Sequence, residues 1–199
     1  MTRIKSASRL DLSRLVDKSL LSASGSSAST RRLVMLETVR QFAAQRLLEH
    51  GETERLRDRH LAHVHRWART MQAPLRDERT VESLAAVDDE QDNVRAALAW
   101  ADATADGPRM IQILDCTWPW WELRGHRRDL DQWLRRLGAH EATLDDTGRA
   151  RMLLCDINNH YGLESGDEEQ GRALALREEL TELDDERSAA ELDAVIAGN

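Results

Sequence analysis

From Leu36 to Ala101 the apolar residues recur with the period of an α-helix, and that pattern excludes most other folds. Leu36, Val39, Phe42, Ala43 and Leu47 fall on one helical face, and Gly51 ends the segment. A second stripe, Leu56, His60, Val64, Trp67 and Met71, predicts a helix over Glu54–Met71 that Pro74 breaks. Two more helices are expected around Thr80–Val87 and Asp89–Ala105, the second burying Val94, Ala97, Leu98 and Ala101, and Gly107-Pro108 reads as a turn. Ala, Leu, Arg and Glu dominate, with six Trp against one Phe and one Tyr, so helix is favoured on propensity as well as on pattern.

The one break in the helical text lies near the N-terminus. Leu12, Leu15 and Val16 share a face and predict a short helix over 9–18. Leu20-Leu21 and Leu33-Val34-Met35-Leu36 then flank a Ser/Gly-rich tip from Ser22 to Thr30, which predicts a small β-hairpin near 20–36. Residues 1–50 carry nine Lys/Arg and four acids, a balance of +5, so the rest of this chain of net charge −8 holds −13. Such asymmetry fits either a nucleic-acid arm on an acidic body or two halves that attract each other inside a larger protein. Cys116 and Cys155 lie far apart and form no CxxC pair, which reads as a reduced, cytoplasmic protein. No apolar run of about 18 residues predicts a membrane span, and no apolar core follows the first residues as in a secretion signal.

Beyond Gly107 the chain is weakly self-similar. Trp120, Gly125, Leu134 and Leu137 stand in one stretch, and Tyr161, Gly166, Ala175 and Leu180 in the next, with Trp120 and Gly125 offset from Tyr161 and Gly166 by 41 residues. An aromatic-bearing helix, a Gly-containing turn and a second helix in each stretch predict stacked tetratricopeptide-like pairs, and Ser188–Ala197 reads as the first helix of a third pair without its partner. The expected fold is therefore mainly α. A partial winged helix with one small hairpin (1–50) leads through a helical linker or first repeats (51–106) into an α-solenoid of tetratricopeptide-like helix pairs (107–199).

Several segments together resemble one family. They are Leu15-Val16-Asp17-Lys18-Ser19-Leu20, Leu36-Glu37-Thr38-Val39-Arg40-Gln41-Phe42-Ala43, Gly51-Glu52, Arg59-His60, Asp92-Asn93-Val94-Arg95-Ala96-Ala97-Leu98-Ala99-Trp100 and Trp120-Trp121-Glu122-Leu123-Arg124-Gly125-His126. The set is similar to bacterial signal-transduction ATPases of the STAND class, the LuxR/AfsR-like transcriptional regulators, over roughly residues 10 to 190. The resemblance implies a nucleotide-binding domain followed by a winged helix and sensing repeats, with DNA binding elsewhere in the longer protein. This sequence lacks GxxxxGK[ST], so ATP binding and hydrolysis are not carried over and no cofactor is expected within it. The first two helices of a winged helix are also missing, so a fragment is expected, spanning the winged-helix remnant and the start of the sensor.

Other constellations are weighed on their chemistry. Trp118-Pro119-Trp120-Trp121, with Trp133, offers either a partner-binding surface, since Trp is enriched at binding hot spots, or core filling between repeats. Pro119 should kink or end its helix. Arg14, Lys18, Arg31 and Arg32 are candidates for contact with DNA phosphates or with another part of the protein, although Asp11 and Asp17 on the same short helix would repel phosphate. His60, His63 and His65 cluster without a further ligand at useful spacing, so no metal is expected. Glu182, Asp184, Asp185 and Glu186 lack the spacing of a calcium loop and read as a solvated face. No paired carboxylates and no Ser/His/Asp order suggest an active site. The expectation is a non-enzymatic, cytoplasmic regulatory segment that meets a protein partner or small effector, and no membrane. A small DNA-binding regulator using the basic N-terminal region, or an inactive relic, stands as the alternative.

Overall fold

A computed structural model describes residues 9–24, 32–160 and 167–197. Helix predominates, with one antiparallel strand pair among the described residues. The chain forms two compact units, residues 1–56 and 57–199.

In the first unit, helix α1 (Arg9–Asp17) leads into strands β1 (Leu21–Ser24) and β2 (Arg32–Met35), in register from Leu21 opposite Met35 to Ser24 opposite Arg32. The hairpin expected near 20–36 is present. Helix α2 (Glu37–Glu49) follows, and Gly51, at φ 64°, closes it while the Glu52 amide reaches back to the Leu47 carbonyl at 2.9 Å. The stripe on α2 is not covered as its period suggested. No residue of the helix is buried, and Leu36, Phe42 and Leu48 are 55%, 60% and 72% exposed. One short helix and a two-stranded hairpin carry too little apolar surface to bury a second helix.

The second unit holds the rest of helix α3 (Thr53–Met71), a 3-10 turn at Pro74–Arg76, and helices α4 (Thr80–Ala103), α5 (Gly107–Leu123), α6 (Arg127–Gly138), α7 (Asp146–His160), α8 (Asp167–Glu182) and α9 (Glu186–Ala197). Each helix from α4 to α9 packs on its successor, and α5 also packs on α7, and α7 on α9. The starts of α5, α7 and α9, at 107, 146 and 186, fall about 40 residues apart. Leu61, Val64 and Ala68 of α3 join Val94, Ala97, Leu98 and Ala101 of α4 and the body of α5 in one core. A second cluster gathers Ala150, Leu154 and Ile157 of α7, Ala173, Leu176 and Leu180 of α8, and Ala189 and Leu192 of α9. Each such leucine, fully buried, contributes about 1.5–3 kcal/mol.

The sequence expectations for these helices are corrected at three points, the first being Gly107-Pro108, which opens α5 and does not form a turn, because proline is tolerated in the first turn of a helix. The helices expected at Thr80–Val87 and Asp89–Ala105 are one continuous α4. Asp88 does not turn back to cap its own backbone, because its carboxylate accepts the indole N–H of Trp120 on α5 at 2.7 Å and the Nε of Arg124, just past the end of α5, at 3.1 Å. Pro119 does not end a helix either, since α5 runs through it to Leu123. The partner of Trp120 in the 41-residue repeat, Tyr161, and that of Gly125, Gly166, lie outside the described residues.

Asp185 stands immediately before α9 and caps it. Its Oδ1 accepts the Ser188 amide at 3.1 Å, and its Oδ2 accepts Arg151 Nη2 from α7 at 3.0 Å. Burial opposes ionisation of this carboxyl, but the hydrogen bonds from Ser188 and the Arg151 guanidinium outweigh it and hold the pKa below the usual range. Asp185→Ala is expected to cost about 1–2 kcal/mol at neutral pH. The depressed pKa means that the charged cap stabilises above the ordinary aspartate pKa and is lost as pH falls through the lower, folded value. Denaturant titrations of the two proteins should therefore differ at pH 7 and converge in acid. A gap that widened on acidification would sink this assignment.

Candidate functional site

Helix α5 is buried nearly all round, with Met110, Ile111, Ile113, Leu114, Trp120 and Trp121 at 0–1% exposure. Its interior proline removes one backbone donor, so the Asp115 carbonyl, four residues back, has no helical partner. Arg76, from the 3-10 turn, supplies one. Its Nη2 donates to that carbonyl at 2.8 Å, and its Nη1 donates to the Gln72 carbonyl at 2.9 Å. Pro119 thus opens an acceptor in the middle of a buried helix, and a guanidinium from another element fills it.

Around this point a charged latch forms. The Asp115 carboxylate is 1% exposed and accepts Arg187 Nη2 at 2.8 Å and Gln72 Nε2 at 3.1 Å. Glu191, one turn on from Arg187 along α9, accepts Arg187 Nη1 and Arg76 Nε, both at 3.1 Å, and the Trp118 indole N–H at 2.5 Å. The Arg76 guanidinium also lies over the Trp118 ring, 5.6 Å from its centroid. Burial works against the charge of Arg187, yet Asp115, Glu191 and Asp185 outweigh it and raise its pKa. Two arginines and two acids therefore tie the chain before α4, the C-terminal half of α5 and helix α9 together. Charge-assisted bonds of this kind are strong only while every member is present.

Beside the latch lies an open pocket of about 550 Å³. Its walls are mostly apolar: Leu75, Trp118, Pro119 and Leu123 on one side, and Ala190 and Ala194 of α9 on the other, with Arg76, Arg187, Glu122 and Glu191 at the edges. The small alanines at one-turn spacing give the pocket its depth. Its size falls in the range of sites for small molecules or short peptide segments, about 300–1,000 Å³. Glu191 is already engaged through both oxygens, whereas Arg187 uses only two of its five donors on the latch.

The structure separates the four candidate tryptophans. Trp118 is half-buried and lines the pocket. Trp120 and Trp121 are at 0% exposure, so their place as a partner surface is corrected to core. Their rings meet edge to face at 4.8 Å, and Trp121 donates to Thr117 Oγ1 at 3.1 Å. Trp133 is half-buried on α6 under the Arg136 guanidinium, away from the pocket lining. Of the basic candidates, Arg14 and Lys18 are exposed at the end of α1, Arg32 lies on β2, and Arg31 lies outside the described residues. His60 pairs with Asn93 at 3.3 Å and His65 with Gln112 at 2.5 Å, while His63 is exposed, so the three face different neighbours. Asp131, Asp156 and His160 do approach one another, but Asp131 is bonded to Arg135, and Arg172 holds Asp156 at 3.2 Å.

The residues missed from sequence are Asp115, Arg76, Arg187 and Glu191. They are spread over more than a hundred positions among many similar charges. The one available signal was Pro119, whose missing N–H requires a donor from elsewhere. Burial places the Cys116 thiol at a pKa of about 12 and pushes that of Cys155 well up, so both stay protonated.

No family model matches the chain, and no solved structure matches it. It is similar to proteins of Mycobacterium tuberculosis and Mycobacterium bovis that carry the name "Putative HTH-type transcriptional regulator". Identity is 31% over 146 residues, covering 71% of this chain and 16% of each of those proteins. The chain thus spans less than a fifth of the length of the curated relatives it matches. No helix among the described residues is long and apolar enough to cross a membrane.

Proposed function

We propose that this chain is the sensor side of a transcriptional regulator of the STAND, LuxR-like type, and that it acts without catalysis through contacts made by its helices. The observation that carries this reading is the pocket set against the Asp115–Arg76–Arg187–Glu191 latch. The similarity to proteins named as transcriptional regulators supports the regulatory half of it. The packing of α5 on α7 and of α7 on α9, with starts about 40 residues apart, fits stacked tetratricopeptide-like pairs. In this reading an effector or partner segment lies on Trp118, Pro119, Ala190 and Ala194. It competes with Trp118 for Glu191, and so shifts α9 against α5. Both thiols are held as inert, protonated groups, consistent with a non-catalytic role. Nucleotide chemistry would belong to other parts of a longer protein, and the cytoplasm is the proposed compartment.

Filling the pocket tests the proposal. Ala194 is exposed at the pocket wall, so Ala194→Trp occupies the space without entering the core. Introduced into the chromosomal gene, it is expected to shift the same transcripts as deletion of the gene, at unchanged protein level. A transcript profile equal to the parent's would overturn the reading.

A further inference from the structure

The pocket has a polar end and an apolar body. Arg187 and Glu191 stand one helical turn apart on α9, while Leu75, Trp118, Pro119 and Leu123 face Ala190 and Ala194 beyond them. At the far edge Glu122 has its charge matched by Arg127 at 2.5 Å. The polar end is incompletely satisfied. Arg187 uses Nη2 on Asp115 and Nη1 on Glu191, which leaves its Nε–H and one hydrogen on each Nη for a further acceptor. Glu191 Oε1 is held by a neutral donor, the Trp118 indole N–H at 2.5 Å, and a charged N–H makes a stronger bond to a carboxylate than a neutral one. The face of the Trp118 ring is already covered by the Arg76 guanidinium, so an incoming cation is directed to Glu191 and not to the ring.

We infer that the pocket takes a free α-amino acid with a large apolar side chain. Its carboxylate lies on Arg187, its ammonium on Glu191 Oε1 in place of the Trp118 indole, and its side chain between Trp118, Leu123, Ala190 and Ala194. The inference rests on the reading of the pocket as a sensing site and names its ligand. Charge balance selects a zwitterion. Asp115, Arg76, Arg187 and Glu191 form a neutral set, and Asp115 and Glu191 are 1% and 12% exposed. A net charge added beside them would stand uncompensated where water screens it poorly. An ammonium and a carboxylate on one carbon add none. Spacing agrees, because Arg187 and Glu191 are bonded to each other at 3.1 Å, so the two head groups of one α-amino acid reach both at once. The interior of a peptide segment, which has no free ends, offers neither charge.

The experiment is isothermal titration calorimetry of the whole chain with L-phenylalanine, a ligand small enough that a Kd on the order of 0.1 mM is expected. Phenylpropionate, which lacks the ammonium, phenethylamine, which lacks the carboxylate, and L-alanine, which lacks the apolar body, are each expected to bind at least about tenfold more weakly. Ala194→Trp abolishes binding with an unchanged thermal transition. Trp118→Phe keeps an aromatic ring but removes the competing indole N–H, and is expected to tighten binding about tenfold, which a merely structural role for Trp118 would not do. Three results would overturn the inference: no binding of L-phenylalanine at millimolar concentration, equally tight binding of a half-ligand or of N-acetylphenylalanine amide, or weaker binding to Trp118→Phe. If L-phenylalanine fails to bind while Ala194→Trp still shifts the transcripts, the pocket senses another chemistry and this inference alone falls. If the transcripts are also unmoved, the reading of the pocket falls with it.

Discussion

Trp120→Ala is expected to destabilise the protein by about 4 kcal/mol, close to the limit for one core truncation. The ring is fully buried, meets Trp121 edge to face, and its N–H is held by Asp88. Its removal opens a cavity between α4 and α5 and strips the buried side of Asp88 of a donor. A native stability of about 5–15 kcal/mol leaves such a variant near the threshold of folding. The half-exposed Trp118, two residues away, gives the contrast, because Trp118→Ala is expected to cost about 1 kcal/mol. Urea titrations of the two variants decide the matter. If Trp120→Ala cost no more than Trp118→Ala, the division of this cluster into core and surface would be wrong.

The second large effect is expected at Asp115. Asp115→Asn keeps the shape but removes the charge shared by Arg76 and Arg187, and it leaves a buried amide facing two guanidinium groups. Breaking a buried charge pair from one side costs about 3–5 kcal/mol. Since the Arg187 side chain is 34% exposed and regains some water, a value near about 3 kcal/mol is expected. The loss should be local as well as global. Amide exchange in α9 is expected to accelerate more than in α4, because α9 is held to α5 by this latch. Uniform acceleration throughout the second unit would show that the charges contribute only bulk stability.

How much of this was legible beforehand follows from the range of each interaction. The stripe Val94, Ala97, Leu98 and Ala101 was read directly and is buried throughout, because a helix buries whichever face its own period defines. The hairpin was equally legible, since two apolar runs around a Ser/Gly tip pair locally. Continuity through Asp88 was not, because the partners that draw its carboxylate outward, Trp120 and Arg124, lie on another helix and just past its end. Nor was the covering of α2, whose regular stripe says only that the face is apolar and not that anything lies against it.

For the site, the cluster at Trp118-Pro119-Trp120-Trp121 was correctly marked as unusual, but adjacency in sequence could not divide it. Successive residues on a helix point about 100° apart, so neighbours in one tetrad go to pocket and core alike. Sequence alone determined that the chain is mainly helical with one hairpin, and it placed the ends of α1, α3 and α9 to within about two residues, because propensity, period and turn chemistry act over a few residues. Tertiary structure alone decided that Pro119 is a docking point, that Asp115 joins Arg76 to Arg187, and that Ala190 and Ala194 hollow a pocket beside Trp118. Those outcomes depend on which helices meet, and no local rule carries that information.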